Sequence, residues 1–274
     1  MTTAVADADV SIDWPVRQKL AQAAMLSRRS IIGTLRQPGV WMPGILFPMF
    51  IAAVNTSAMG RAVVFFPEPK PDSLLDFLLA SSVTQAVLFG GVTAGADTAL
   101  DIQTGFFDRL LASPVSRTSI LVGRLIGGAV TGVLQASIFI AVYSIFGVRI
   151  AAGIRGVVVL LIYAFVLALV IGGFAAMLAL RTGQAEAVQN AFPLTFILLF
   201  VSSAFFPTEL MSGVYRSIAE RNPITWMIDG IRHQVLVGFD LSEAAKAIGI
   251  AAVLAALTIA MANAALRARL RSAA

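Results

Sequence analysis

The chain has 274 residues, 58% of them hydrophobic and 13% charged, with a mean hydropathy of +0.86. A soluble domain is nearer half apolar and a quarter charged, so too little polar surface exists to coat a water-soluble particle, and the bilayer is the natural solvent for the remainder. Zero cysteines exclude disulfides and thiolate metal sites, the single His233 argues against an all-protein zinc or iron site, and a net charge of +5 fits the cytoplasmic loops of a membrane protein better than nucleic-acid binding.

Residues 1–13 are small and acidic and read as a disordered tail. Over 14–36, Val16, Leu20, Ala24, Ile31 and Leu35 fall on one helical face and Gln18, Gln22, Arg29 and Arg36 on the other. An apolar stripe opposite a basic face predicts an amphipathic helix lying in the membrane interface, flanked by Trp14 and Trp41. Ser27-Arg28-Arg29-Ser30-Ile31-Ile32 resembles a twin-arginine export signal, but the apolar stretch after it is too long and proline-marked for a signal core, and further spans follow.

Six segments approach the roughly 20 residues needed to cross hydrocarbon. They run over about 40–59, 77–99, 119–146, 154–180, 190–206 and 244–266, the fifth being the shortest. Pro43, Pro48 and Pro193 predict kinks in the first and fifth. With the N-terminus inside, twelve Lys and Arg fall on the cytoplasmic side and eight outside; seven acids inside and eight outside leave +5 against zero. The positive-inside rule therefore places both termini in the cytoplasm of a six-span, all-α membrane protein of the cell membrane.

On this topology "DIQTGFFDRLLASPVSR", Asp101 to Arg117, is a cytoplasmic loop between the second and third spans. It carries its own small helix, in which Phe106, Phe107, Leu110 and Leu111 form an apolar patch and Pro114 ends the turn. Asp101, Asp108, Arg109 and Arg117 frame the patch, which suits either the lipid interface or a groove on another protein. The loop 207–243 is too long for a turn and too apolar for water. Leu210, Val214 and Ile218, then Ile224, Ile228, Ile231 and Val235, repeat at helical spacing, with Pro207 and Pro223 at helix starts and Asn222 as a cap. Two helices too short to span predict a re-entrant hairpin over 207–238 in the outer leaflet.

Motifs of soluble chemistry are missing: there is no GxxxxGK[ST], HExxH or GxSxG. The chain has no phosphate loop with which to hydrolyse ATP. Asp97, one turn before Asp101, is expected to pair with Arg109 or Arg117 at the interface. Asn55 and Gln85 are mid-span polar groups, read first as interhelical hydrogen-bonding residues and second as substrate contacts. Gly91/Gly95, Gly123/Gly127 and Gly128/Gly132 permit close helix approach within one chain or across a dimer, and His233, one turn after Asp229, is expected to contact it.

Together these features resemble the membrane subunit of ABC type-2 transporters, especially the daunorubicin-resistance type of drug-efflux permease. "DIQTGFFDRLLASPVSR" is similar to that family's cytoplasmic segment, with its acid, glycine, "RLL" core and "PVSR"; Phe107 stands where a polar residue is commoner. "SSAFFPTELMSGVYRSIAERNPITWMIDGIR", Ser202 to Arg232, is similar to its outer segment, including Phe206, Pro207, Asn222, Pro223, Trp226, Asp229 and Arg232. The order of elements agrees over nearly the whole chain. The resemblance implies a pair of permease subunits, identical or homologous, on two ATPase subunits that hold ATP and magnesium, with no cofactor in this chain. It implies that Asp101–Arg117, including Gly105, is a coupling helix seated on the ATPase, that 14–36 is a connecting brace, and that the hairpin lines the exit. The apolar spans favour an amphiphilic drug-like or lipid substrate over a polysaccharide. A secondary transporter or channel would be expected to carry mid-depth ion-binding carboxylates, and a membrane-embedded enzyme a nucleophile–base or metal constellation.

Overall fold

Residues 14–272 are described by a computed structural model; the acidic tail expected over 1–13 lies outside the described residues. All regular structure among them is helical: α1 (Val16–Leu35), a single turn α2 (Pro38–Trp41), α3 (Pro43–Met59), α4 (Leu74–Gln103), α5 (Phe106–Leu111), α6 (Arg117–Ile145), α7 (Gly153–Thr182), α8 (Ala185–Asn190), α9 (Phe192–Phe200), α10 (Gly213–Arg221), α11 (Pro223–Leu236) and α12 (Leu241–Ser272). Among the described residues five segments are long and apolar enough to cross a membrane: 43–65, 74–103, 117–145, 153–182 and 241–271.

Local chemistry sets the boundaries. Ser73 and Asp76 form a capping box at the start of α4: the Asp76 carboxylate accepts from Ser73 N–H at 2.7 Å, and the Ser73 hydroxyl accepts from Asp76 N–H at 3.3 Å. Pro43 and Pro193 do not kink helices as expected. They occupy the first turns of α3 and α9, where the missing N–H has no intrahelical partner to lose; Pro48 alone sits inside a helix.

α7 is the central helix, packed on α4, α6 and α12. Its approach to α4 is so close that a Cβ on Gly95 would lie 2.2 Å from the Ala175 Cβ, and one on Gly91 2.3 Å from Ile171 Cγ2. Side-chain pairs knit the same helices across hydrocarbon depth: Ser82 and Tyr143 hydroxyls at 2.6 Å, Thr84 and Tyr163 at 2.8 Å. The three glycine pairs all face neighbours within this chain. α3 packs chiefly on α4, leaving Leu46, Phe47, Phe50 and Val54 exposed.

The helix expected over 14–36 packs on α6 through a strip between the two faces read from the sequence: Ala23 and Ser27 are buried there, with the Ser27 hydroxyl donating to Gly123 O at 2.8 Å and the Ser119 hydroxyl donating to Lys19 O at 2.9 Å, while Gln18, Arg29 and Arg36 are exposed. Small residues allow this contact, since a Cβ on Gly127 would meet Ser30 Cβ at 2.8 Å. Val16, Leu20 and Leu35 of the apolar stripe point away from the protein.

A further expectation is corrected, that of a fifth segment continuous over 190–206. A turn at Ala191 divides α8 from α9, and residues 201–206 form turns and bends rather than helix. Ala185–Phe200 is an apolar helical stretch shorter than the other five. At 1.5 Å per residue α9 is only about 14 Å long.

Candidate functional site

Two regions gather the residues singled out in the sequence. The first is the α5 end of the bundle. Gly105 carries φ +68°, a left-handed conformation that glycine adopts without steric cost, and it turns the chain from α4 into α5. Phe107 then enters the protein: it is 2% exposed, in a cluster with Ile102, Ile120, Leu121, Leu125 and Met177. Leu110 and Leu111 pack partly against the same cluster. The four-residue apolar patch therefore faces inward, not outward. Burying a phenylalanine contributes about 1.5–3 kcal/mol, which an isolated six-residue helix needs in order to persist. The face left to solvent is mostly polar: Asp108, Arg109 and Arg117, with Ala112 and Pro114 between them.

Phe106 is half-buried beneath the Arg29 guanidinium of α1, whose carbon lies 4.0 Å from the ring centroid, with Arg109 at 5.9 Å. The Gln22 side-chain oxygen accepts from Ser116 N–H at 3.0 Å. α1 thus clamps both ends of the segment.

Behind α5, Arg124 of α6 pairs with Asp101 and donates to the Thr98 hydroxyl at 3.2 Å. Asp97 also faces Arg124, so its cation is not Arg109 or Arg117, which project from the exposed side of the segment. Arg29, Asp97, Asp101 and Arg124 line a cavity of about 230 Å³ between α1, α4, α5 and α6. Arg124 was missed as a site residue in the sequence. Its signal was present: a lone arginine inside the apolar run 119–146 has to find a carboxylate or water.

The second region is the joint between α9 and α11. Asn222 has two jobs. Its side-chain oxygen accepts from Ile224 N–H at 2.9 Å, capping α11, while its amide donates to the Leu198 and Val201 carbonyls, both at 2.6 Å. Those carbonyls are orphaned by the end of α9 and would be costly in an apolar setting. Ser203 N–H donates to the Thr225 hydroxyl at 3.2 Å. Arg232 is 6% exposed and donates to Phe77 O at 3.2 Å, Ser203 O at 2.7 Å and Asp229 Oδ1 at 2.6 Å, with Phe77 under its guanidinium at 3.7 Å. Burial lowers the Arg232 pKa to about 10 and Asp229 opposes that shift, so the group is charged at neutral pH.

Asp229 therefore pairs with Arg232 and the Ser203 hydroxyl, not with His233 as expected; His233 Nδ1 has no hydrogen-bond partner. Guanidinium, with several donors in a fork, satisfies three acceptors that one imidazole could not. Pro223 begins α11, the exposed Trp226 donates to Glu220 O at 2.8 Å, Pro207 is buried and Phe206 half-buried. Leu210, Val214 and Ile218 stay exposed, whereas Ile228, Ile231 and Val235 are in the core.

The two candidate substrate contacts separate. Asn55 donates to Ile51 O of its own helix at 2.8 Å. Gln85 is 2% exposed and its side-chain oxygen has no partner. Gln135 of α6, also 2% exposed, was not singled out in the sequence; it faces Gly90 of α4 and Gly44 of α3, and neither end of its amide has a hydrogen-bond partner. Among the described residues no three His, Asp or Glu side chains converge as a metal site requires.

Several apolar helices of spanning length, with a small helix pinned at one end and a stitched break near the other, define a multi-pass membrane protein. The chain belongs to the ABC-2 type transporter family, whose model matches residues 21–236 and so includes both regions. It is similar to the daunorubicin resistance ABC transporter permease protein DrrB1 of Streptomyces coeruleorubidus, 26% identical over 182 residues, 66% of this chain and 63% of that protein. The putative transport permease ycf38 of Cyanophora paradoxa is 27% identical over 211 residues, 76% of this chain and 72% of its own. The linearmycin resistance permease protein LnrN of Bacillus subtilis (strain 168) is 30% identical over 189 residues, 67% of this chain and 48% of its own. The chain is an ABC transporter permease.

Proposed function

We propose that the chain is the transmembrane subunit of an ATP-driven exporter and that separate ATPase subunits dock on the polar face of Asp101–Arg117. The observation that carries this reading is α5 itself. The segment is held by a buried phenylalanine, by Arg29 of α1 over Phe106 and by Gln22 of α1 on Ser116 N–H, yet presents Asp108, Arg109 and Arg117 outward. A loop that only had to connect two spans would not need three anchors. Docking is then electrostatic at its rim, with Pro114 and Ala112 supplying the apolar contact, and α1 and α6 take up the push. ATP and magnesium belong to the partner subunits.

In this reading both termini are cytoplasmic and the chain crosses six times. α8 and α9 make the fifth crossing, and α10–α11 form a re-entrant element on the outer side. The groove of about 620 Å³ between α3, α4 and α9, walled by Phe47, Phe89, Phe196 and Phe200, is the face a second permease subunit covers. The names of the daunorubicin and linearmycin resistance relatives favour an amphiphilic drug-like cargo, with a lipid as the alternative. Gln85 and Gln135 are the proposed polar contacts of the path.

The test is recovery of the tagged chain from its native membrane in mild detergent, with mass spectrometry of what accompanies it. A P-loop ATPase recovered with the native chain and lost from Asp108→Lys/Arg109→Glu is the expected result. The chain recovered intact, repeatedly and without any ATPase points instead to an ATP-independent transporter.

A further inference from the structure

At the end of the bundle away from α5, the N-terminal turns of α7 and α12 border a groove of about 620 Å³. Its walls are apolar: Val158 and Ile162 on α7, Ala245 and Ile248 on α12. The lining includes the exposed Gly249, and a Cβ added there would meet nothing within 4 Å. From Leu241 to Ala252 the groove follows α12 for about 16 Å, roughly half the thickness of a hydrocarbon core. One cation stands at its mouth. Arg155 is exposed, with its guanidinium carbon 5.5 Å from the Phe239 ring centroid. It forms no ion pair among the described residues; of the acids that follow Phe239 in the chain, Asp240 caps α12 through Ser242 and Glu243 N–H, and Glu243 pairs with Lys246 at 2.6 Å.

We propose that this groove binds one anionic phospholipid, its acyl chain between α7 and α12 and its phosphate on Arg155. A guanidinium resting one face on an aromatic ring keeps its in-plane N–H groups free, and that fork matches two phosphate oxygens. The apolar walls accept a chain and no polar ligand. A free phosphate would gain nothing from them, so the occupant is a lipid of the leaflet at this end. The site is independent of the ATPase-docking reading.

Native mass spectrometry of the purified full chain tests this, with palmitoyl-oleoyl phosphatidylglycerol and phosphatidylcholine as probes. One phosphatidylglycerol per chain should be retained in preference to phosphatidylcholine, and excess inorganic phosphate should not displace it. Arg155→Ala should weaken retention about fivefold. Gly249→Leu should abolish it by placing a side chain in the groove from a position where an added Cβ meets nothing within 4 Å. Arg149→Ala, an exposed arginine in the preceding loop, should leave it unchanged. Equal retention of the two lipids, displacement by phosphate, full retention by Gly249→Leu, or equal losses in Arg149→Ala and Arg155→Ala would each overturn the assignment.

Discussion

Arg124 shows what one residue contributes to a chain with so few charges. It faces Asp97 and Asp101 on α4 and bonds Thr98, so it fixes the level of α6 against α4 where α5 departs. Removing one partner of a mostly buried pair leaves the other charge uncompensated. Arg124→Ala is expected to cost about 2 kcal/mol, less than a fully buried pair because both side chains keep some exposure. Asp101→Asn should cost less and, combined with Arg124→Ala, should not add fully. Apparent melting temperatures of the four proteins in one detergent check this; strict additivity would mean the pair is not coupled. Asn222 separates two roles in the same way. Asn222→Ser keeps a cap on α11 but loses the amide that serves Leu198 and Val201. Asn222→Ala loses both, so it should be less stable than Asn222→Ser by about the value of a cap, near 1 kcal/mol, and melt lower. Equal melting points would show that the cap carries nothing.

At the scale of elements, α5 and the α9–α11 joint show where sequence patterns suffice and where they stop. The existence of the small helix and the capping role of Asn222 were legible, because each rests on neighbours within a few residues. The direction of the apolar patch was not. Phe106, Phe107, Leu110 and Leu111 are two ring-bearing and two aliphatic residues in six positions, and periodicity cannot say whether such a cluster meets its own chain or a partner. Only the proximity of Ile120, Leu121 and Met177, far along the chain, decides it. The early end of α9 was hidden for a related reason. A continuous apolar run reads as one span, while the end at Phe200 is tolerated because Asn222 and Arg232 re-satisfy the Leu198, Val201 and Ser203 carbonyls. Phe107→Ala should therefore destabilise the fold, by about 3 kcal/mol as for other buried phenylalanines. Asp108→Lys/Arg109→Glu should leave the melting point unchanged. Thermal unfolding of the two variants side by side checks the orientation of α5; the reverse order would mean that the patch faces outward.

The whole molecule divides by how tightly its helices meet. Its all-helical, multi-pass character followed from composition and segment length, and membership of the ABC-2 type transporter family agrees with it. Which helices touch did not follow, since small-xxx-small pairs suit a dimer as well as a single chain. α4 and α7 meet through Gly91 and Gly95 with no room for a methyl group, and their hydroxyl pair at Thr84 and Tyr163 is buried in the same contact. Gly95→Val should be among the most disruptive single changes, read as loss of folded protein after detergent extraction; normal yield and melting point would show that the contact can open. Surfaces so closely matched leave no low-energy way to slide past one another. If the permease changes shape while it works, α4 and α7 therefore travel as a single strut. The displacement then falls on α3, with its exposed outer side, and on the turn at Ala191. Paired spin labels should report a constant α4–α7 separation throughout turnover, with the change in distance confined to α3 and α9.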